Sequence, residues 1–126
     1  MSSQRAIRGA VQVPADAAEA IEAATRELLL AMVERNSIDP ATVVAIWFTQ
    51  TADLTAGHAP AAARALGWRQ VPLLGAQEAP VPGDLPRVVR ALLLAPVADE
   101  SRAVRHVYLG ETRVLRPDLT ETEEAT

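Results

Sequence analysis

The stretch Val88-Val89-Arg90-Ala91-Leu92-Leu93-Leu94 places one arginine inside an apolar run of the length of a buried strand. The same arrangement occurs near the start of the chain, in Ala6-Ile7-Arg8-Gly9-Ala10-Val11. A guanidinium within an apolar strand is costly unless a negative group meets it. Because a guanidinium grips a carboxylate with two parallel hydrogen bonds, the two strands indicate either a structural ion pair or a binding site for a compact anion.

Outward from these strands, the apolar patterns predict the order β-α-β-α-β-β-β. A long helix is expected to begin at a capping box formed by Asp16 and Glu19 and to run to about Glu34. A short helix is expected between Pro60 and Gly67. Strands are expected at residues 5–13, 43–49, 68–74, 87–95, 104–109 and 112–115, and residues 75–86 are too rich in Pro and Gly for regular structure.

The last two predicted strands flank Gly110-Glu111, which suits a two-residue hairpin turn and would place Tyr108 opposite Arg113. Pro117 should break the strand ladder, so Arg116 is expected to leave the sheet. The whole order indicates an α+β fold, with a mixed β-sheet and helices packed on one face. The other face would be bare, and its burial in an oligomer is the expected solution.

Composition limits the classes of protein that the chain can represent. Its 126 residues, 49% of them hydrophobic, predict one domain over residues 1–119, followed by an acidic, flexible tail at 120–126. The net charge of −4 and the scattered basic residues argue against nucleic-acid binding. Cysteine is absent, which excludes disulfides and thiolate chemistry. We find no signal sequence and no run of membrane-spanning length, so a cytoplasmic location is expected.

Few residues are arranged for nucleophilic or metal chemistry. His58 and His106 lie in no spaced constellation with acids or hydroxyls, and a phosphate loop and a dinucleotide fingerprint are missing. We therefore expect no metal and no cofactor. For Arg8 and Arg90, an ion pair with Glu78 or Asp84 competes with anion binding. Glu78 could accept a hydrogen bond from a ligand hydroxyl or could cap a nearby N–H.

Several motifs together cover residues 5–119. They are Ile7-Arg8-Gly9-Ala10 before a long helix, Asp53-Leu54 before a short helix bearing Arg64, Val71-Pro72 leading to Gln77-Glu78, Gly83-x-Leu85-x-x-x-x-Arg90, and Arg105-His106-Val107-Tyr108-Leu109 with Val114-Leu115-Arg116-Pro117-Asp118-Leu119. In this set the chain resembles the small monofunctional chorismate mutases of the Bacillus type. The resemblance implies a homotrimeric pseudo-α/β-barrel, with sheets inside, helices outside and active sites between subunits.

The resemblance also implies roles for individual residues. Arg8, Arg90 and Tyr108 would hold the enolpyruvyl carboxylate, and Arg90 would also reach the ether oxygen. Glu78 would accept a hydrogen bond from the ring hydroxyl. Arg64 would come from the cleft entrance, and Arg116 from the segment that closes over the cleft.

The chain departs from the family pattern at two places near the expected site. Leu74 and Gly75 stand where the family has a Thr-Cys pair, so the lost side-chain contacts would be replaced by backbone or water. The family's Phe-Pro pair falls on His58-Ala59, and the proline comes one residue late, at Pro60.

The implied activity is that of an isomerase, an intramolecular transferase of the shikimate pathway and aromatic amino-acid biosynthesis. Chorismate would become prephenate by an intramolecular 3,3-rearrangement, which needs positioning and preorganised charge but neither nucleophile nor base. Two alternatives stay open. One is an enamine/imine deaminase of the same trimeric fold class, which binds a carboxylate through one arginine and activates water. The other is a non-catalytic regulatory domain that binds an amino acid, with Arg90 in a structural ion pair.

Overall fold

A computed structural model of the chain describes residues 3–97 and 101–118, which form one five-stranded mixed sheet with two α-helices. The elements are β1 (Gln4–Gln12), α1 (Ala18–Arg35), β2 (Ala45–Gln50), α2 (Pro60–Ala65), β3 (Leu73–Gln77), β4 (Val88–Pro96) and β5 (Val107–Tyr108). Short 3₁₀ helices lie at Pro40–Thr42 and Gly110–Leu115. The predicted tail at 120–126 lies outside the described residues. In the described part of the chain, the helices are too short or too polar to cross a membrane.

The two arginine-bearing strands lie side by side near the centre of the sheet. The strand order is β3-β2-β4-β1-β5, in which β4 is antiparallel to both β1 and β2. The outer pairs, β1 with β5 and β2 with β3, are parallel. This mixed sheet confirms the predicted α+β architecture.

Alternation along β1 separates a covered face from an open one. Ile7 and Val11 point to the covered face, where they join a core that α1 completes with Ile21, Leu28 and Met32. Arg8 and Ala10 point to the open face, because successive side chains of a strand alternate. The open face exposes large apolar side chains, as the sequence predicted: Trp47 is 41% exposed, Leu74 59% and Leu92 38%.

Gly9 lets α1 approach the sheet closely. A Cβ atom at this position would lie 2.7 Å from Sδ of Met32 and 2.9 Å from a methyl carbon of Leu28. Both neighbours are fully buried, so an added methyl would force the ends of these side chains to shift within the core. Gly9 therefore sets the spacing between α1 and the strand that carries Arg8.

Gly9→Ala is expected to lower the free energy of unfolding by roughly 1–2 kcal/mol, because an added methyl overpacks this contact. A denaturant titration at fixed protein concentration measures the change. As a control, Met32→Val should make room, so that the double variant is less destabilised than the sum of the two single variants. Unchanged stability of Gly9→Ala would contradict this packing argument.

The predicted capping box at the start of α1 is wrong. The N-cap is Ala17, and no side chain caps the helix. Asp16 turns instead to the loop after β2, where its carboxylate accepts hydrogen bonds from the N–H of Thr55 (2.9 Å), the hydroxyl of Thr55 (2.7 Å) and the N–H of Ala56 (2.9 Å). Three donors from one loop outweigh the single N–H that a cap offers.

The same contacts lower the pKa of Asp16, the N–H of Ala56 most strongly and then the hydroxyl of Thr55. A carboxyl whose pKa is lower in the folded state than in the unfolded chain stabilises the fold above its unfolded pKa of about 3.9. That contribution is lost as the pH falls through the lower, folded pKa. At neutral pH, Asp16 thus holds the loop before α2 against the start of α1.

The predicted C-terminal hairpin is also wrong. Gly110–Leu115 form a 3₁₀ helix, and β5 pairs in parallel with β1. The N–H of Leu109 donates to the carbonyl of Ala10 at 3.0 Å, and the hydroxyl of Thr112 donates to the same carbonyl at 3.1 Å. The free edge of β1 thus takes the hydrogen bonds that a hairpin partner would have supplied. Tyr108 consequently lies opposite Ala10 rather than Arg113.

Strand β3 begins five residues later than predicted and continues through residues 75–77, which were expected to be irregular. The N–H of Trp68 donates to the carbonyl of Ala63 at 3.0 Å, so residue 68 closes α2 instead of opening a strand. Ladder bonds to β2 then carry the chain as far as Gln77. The short predicted helix is confirmed as Pro60–Ala65, with Gly67 in the left-handed region at φ +84°.

Candidate active site

The open face of the sheet gathers three of the arginines that the sequence singled out, Arg8, Arg90 and Arg116. Arg90 lies opposite Ala10 of β1 and Thr49 of β2, and Ala10 lies opposite Tyr108 of β5. Because residues that are opposite in register share a face, these side chains point away from α1. A concavity of about 460 Å³ on this face is lined by Arg8, Trp47, Thr49, Arg90, Leu92, Tyr108 and Arg116. This volume is in the range of a small-molecule site.

Glu78 meets Arg90 in a partly buried ion pair. The Nε atom of Arg90 lies 2.8 Å from Oε1 of Glu78 and 3.0 Å from its Oε2. The hydroxyl of Thr49 donates to Oε1 of the same carboxylate at 2.8 Å. Among residues 3–97 and 101–118, the terminal nitrogens of Arg90 have no hydrogen-bond partner. Glu78 thus aims the guanidinium and leaves its two NH₂ groups for a ligand.

Arg8 carries an uncompensated charge in the same concavity. Its side chain is exposed and has no hydrogen-bond or ion-pair partner in the described ranges. Its backbone N–H is held, since it donates to Nδ1 of His106 at 2.9 Å. The imidazole of His106 therefore holds the backbone of β1 beside Arg8.

Tyr108 lies in the electrostatic field of the arginines. Burial raises the pKa of its phenol above the ordinary value, while the positive charges of Arg116, Arg8 and Arg90 partly oppose this shift. At neutral pH the phenol therefore keeps its proton and can donate a hydrogen bond.

Arg116 is outside the sheet, as predicted, directly after the second 3₁₀ helix. Its Nε and Nη2 atoms lie 3.2 Å and 3.0 Å from the two carboxylate oxygens of Asp118. The hydrogen bond to Asp118 raises the pKa of Arg116 further. The ion pair with Asp118 therefore holds the guanidinium of Arg116 in place at the rim of the concavity.

Two other predicted site residues lie elsewhere. Arg64 is exposed on α2 and lines a separate cavity of about 570 Å³ together with His58, Pro60 and Gly75. A Cβ atom on Gly75 would lie 3.0 Å from the ring of Pro60, so α2 packs against β3 on the covered side of the sheet. The structure therefore does not bring Arg64 and Gly75 together with Arg8 and Arg90 within one chain.

Leu74, the remaining predicted site residue, lies opposite Trp47 and hence on the open face. Its neighbour Gly75 explains part of the departure from the family pattern. The missing side chain at this position leaves the space that the ring of Pro60 occupies, so the late proline and the glycine fit each other.

Thr49 is a site residue that the sequence analysis missed. Its hydroxyl fixes the carboxylate of Glu78, but a threonine in a predicted strand carries no signal of that role. The alternation of β2 places it on one face with Trp47, and only the pairing of β2 with β4 places it beside Arg90.

The chemistry available on the open face is anion binding and charge stabilisation. Two guanidinium groups with open donors, a protonated phenol and one carboxylate suit a ligand that carries carboxylates and a hydroxyl group. Within the described part of the chain, no three His, Asp or Glu side chains lie close enough to hold a metal ion.

Comparison with known proteins gives one consistent result. Residues 4–119 match the family described as chorismate mutase type I. The sequence is 51% identical to chorismate mutase AroH of Thermus thermophilus over 120 residues, which are 94% of this chain and 98% of that protein. It is 38% identical to chorismate mutase AroH of Bacillus subtilis over 120 residues, which are 94% of each protein.

The fold agrees with these sequence matches. The chorismate mutase from Clostridium thermocellum superposes with a TM-score of 0.83 at 35% identity, covering 87% of this chain and 98% of that chain. The predicted resemblance is confirmed, and the deaminase and regulatory-domain alternatives are set aside. By sequence and by fold, this chain belongs to the type I chorismate mutase family.

Proposed function

We propose that the chain is a cytoplasmic chorismate mutase that performs its reaction in a cleft built from two copies of itself. The activity is that of an isomerase of aromatic amino-acid biosynthesis, which converts chorismate to prephenate. One ether C–O bond breaks and one C–C bond forms within a single molecule, and no atom is gained or lost. The protein therefore has to hold a reactive conformer and to stabilise the charge that develops as the C–O bond lengthens.

The observation that carries the proposed mechanism is the contrast between Arg8 and Arg90. Arg8 has no partner among the described residues, so it is ready to grip a carboxylate. Arg90 is held through Nε by Glu78 and presents its terminal nitrogens. In our proposal these nitrogens bind the enolpyruvyl carboxylate and the ether oxygen, and Tyr108 donates a further hydrogen bond to the carboxylate.

Glu78 has two tasks in this proposal. Its Oε1 atom accepts from Thr49 and pairs with Arg90, while Oε2 has only the longer contact to Arg90. Oε2 can therefore accept a hydrogen bond from the ring hydroxyl of the substrate. Arg116 supplies positive charge at the rim.

The position of Arg64 supports a cleft between subunits. Arg64 belongs to a helix on the covered side of the sheet, whereas Arg8 and Arg90 project from the open side. One chain therefore cannot readily present all three to one small molecule. A second copy packed on the open face would bring its own α2 to the arginines and would cover Trp47 and Leu92. Heterologous contacts of this kind close into rings, and the proposed ring is a trimer.

The first test of this assembly is its mass and its shared sites. The native mass at micromolar concentration is expected to be that of a trimer, and activity should fall together with the trimer on dilution. Arg8→Ala and Arg64→Ala should each be impaired. When the two variants are unfolded together and refolded as a mixture, about a quarter of the clefts should regain both arginines, because the two residues come from different subunits.

The matched control for this mixing experiment is Arg8→Ala with Arg90→Ala. Both residues belong to the same wall of the cleft, so no mixed cleft has an intact wall, and activity should not return. Chorismate consumption followed by absorbance measures both mixtures. A fully active monomer, or equal recovery in the two mixtures, would contradict the shared cleft.

The turnover number is expected to be nearly constant from about pH 6 to pH 9, because arginine stays charged and an ordinary carboxyl stays ionised in this range. Tyr108 does not alter this expectation, since burial raises the pKa of its phenol and keeps it protonated. Steady-state rates at saturating chorismate across this range are the measurement. A bell-shaped profile with two inflections would indicate general acid–base catalysis and would contradict the proposed mechanism.

A further inference from the structure

Gln50, the last residue of β2, holds the loop that leads to α2. Its side-chain Nε2 donates to the carbonyl of Leu54 at 3.0 Å and to the carbonyl of Gly57 at 2.9 Å. Its Oε1 accepts from the N–H of Ala59 at 3.0 Å. Both donor hydrogens and the acceptor of the amide are thus used within one short loop.

The loop that Gln50 holds leads directly to Arg64. Ala59 is the N-cap of α2, and Arg64 lies in the last turn of this helix. Gln50 and Arg64 also line the same cavity of about 570 Å³. The contact with Ala59 exists only because this residue is not a proline, which has no N–H to donate.

The backbone of Gln50 contacts Glu78, which belongs to the wall of the proposed cleft that carries Arg8 and Arg90. Its carbonyl accepts from the N–H of Glu78 at 2.8 Å. Gln50 thus fixes the backbone of Glu78 through its carbonyl and the start of α2 through its side chain. A change in its side chain alone should move only the second of these.

We infer that Gln50 is a positioning residue that acts on substrate binding through Arg64. This inference rests on the proposed role of Arg64 in the cleft. The amide of Gln50 sets the start of α2 and hence the distance at which the guanidinium meets a substrate carboxylate. Asp16, which lies just before α1, binds the middle of the same loop at Thr55 and Ala56, while the amide of Gln50 holds the segment that enters α2.

Gln50→Met tests this inference, since it keeps the length of the side chain and removes the three hydrogen bonds. We expect kcat/KM to fall by about tenfold, through a higher KM with kcat within about twofold of wild type, because uniform substrate binding is lost. In an Arg64→Ala background, Gln50→Met should change kcat/KM by less than about twofold, because its effect passes through Arg64.

Gln12→Met is the matched control. Gln12 is also the last residue of a strand, and its Nε2 donates to a loop carbonyl, that of Pro86, at 3.0 Å. The loss of this bond should affect stability without raising KM. An equal rise in KM for Gln12→Met and Gln50→Met would overturn the inference, as would equal losses from Gln50→Met with and without Arg64.

Amide hydrogen exchange on the wild-type trimer keeps the inference testable if Gln50→Met does not fold. The N–H of Ala59 lies in a fully buried residue and is bonded to Gln50, so it should exchange slowly. Exchange as fast as that of an exposed loop amide would overturn the inference. Wild-type kinetics for Arg64→Ala would remove Arg64 from the site, whereas wild-type kinetics for Gln50→Met alone would remove only Gln50.

Discussion

Arg90→Ala is expected to lower kcat by at least about a hundredfold to a thousandfold, the loss typical of a missing oxyanion-hole donor. Arg90 stands in the middle of β4, and Glu78 holds its Nε atom, so its terminal nitrogens are aimed before substrate arrives. Charge on the ether oxygen grows only as the C–O bond breaks. An interaction with that oxygen therefore strengthens in the transition state and is measured in kcat.

Arg90→Lys distinguishes aimed hydrogen bonds from mere positive charge. An ammonium can replace Arg90 as the partner of Glu78, but one nitrogen cannot hold Glu78 and also reach carboxylate and ether oxygen. This variant should therefore be badly impaired as well. Single-turnover kinetics at saturating chorismate is the measurement, with circular dichroism and native mass as controls for folding. A rate within about threefold of wild type would show that Arg90 is only a counter-ion.

Glu78→Ala is the second large effect that we expect, a loss of roughly 2–4 kcal/mol in kcat/KM. The substitution removes the proposed acceptor for the ring hydroxyl and also releases the Nε atom of Arg90 and the hydroxyl of Thr49. Glu78→Gln keeps the shape of the side chain but removes its charge, so it should still lose the ion pair with Arg90 while reducing kcat/KM less than Glu78→Ala. The two variants together separate the charge of Glu78 from its shape.

Asp84→Ala is the control for Glu78. Asp84 is an exposed acid in the loop before β4, and the sequence had offered it as an alternative partner for Arg90. It should leave kcat/KM unchanged. Wild-type kinetics for Glu78→Ala, with the fold and the mass intact, would remove Glu78 from the site.

The parts of the fold that could be predicted carry their own apolar pattern. Strands β1 and β4 and helix α1 each bury one face or both, and their periodicity is visible without any neighbour. The open face followed from the same reasoning, because the predicted helices could cover only one side of the sheet.

The parts that could not be predicted depend on a neighbour far away in sequence. The carboxylate of Asp16 could either cap α1 or bind a distant loop, and the position of Thr55 in the folded chain decides for the loop. Val107 and Tyr108 could have paired with residues 112–115 in a hairpin, but they pair with the free edge of β1 instead. No local pattern shows which edge of a sheet is free.

The same limit applied to the candidate site. Arg8 and Arg90 stood out because a charge in an apolar strand needs a reason. Whether Arg90 met Glu78 or Asp84 was open, since the answer depends on β2 lying between β3 and β4. That order brings the residue after β3 past Thr49 to Arg90.

The unpaired guanidinium of Arg8 makes the resting enzyme sensitive to its solvent. An exposed guanidinium attracts inorganic anions as well as carboxylates, and sulfate or phosphate has the charge and shape to accept its paired hydrogen bonds. In the proposed site, where Arg8 binds a substrate carboxylate, such ions should compete with chorismate. Dissolved salt also weakens the attraction between exposed charges over about 8–10 Å. The apparent affinity for substrate should therefore depend on buffer anion and ionic strength, while the rate of the bound complex should not.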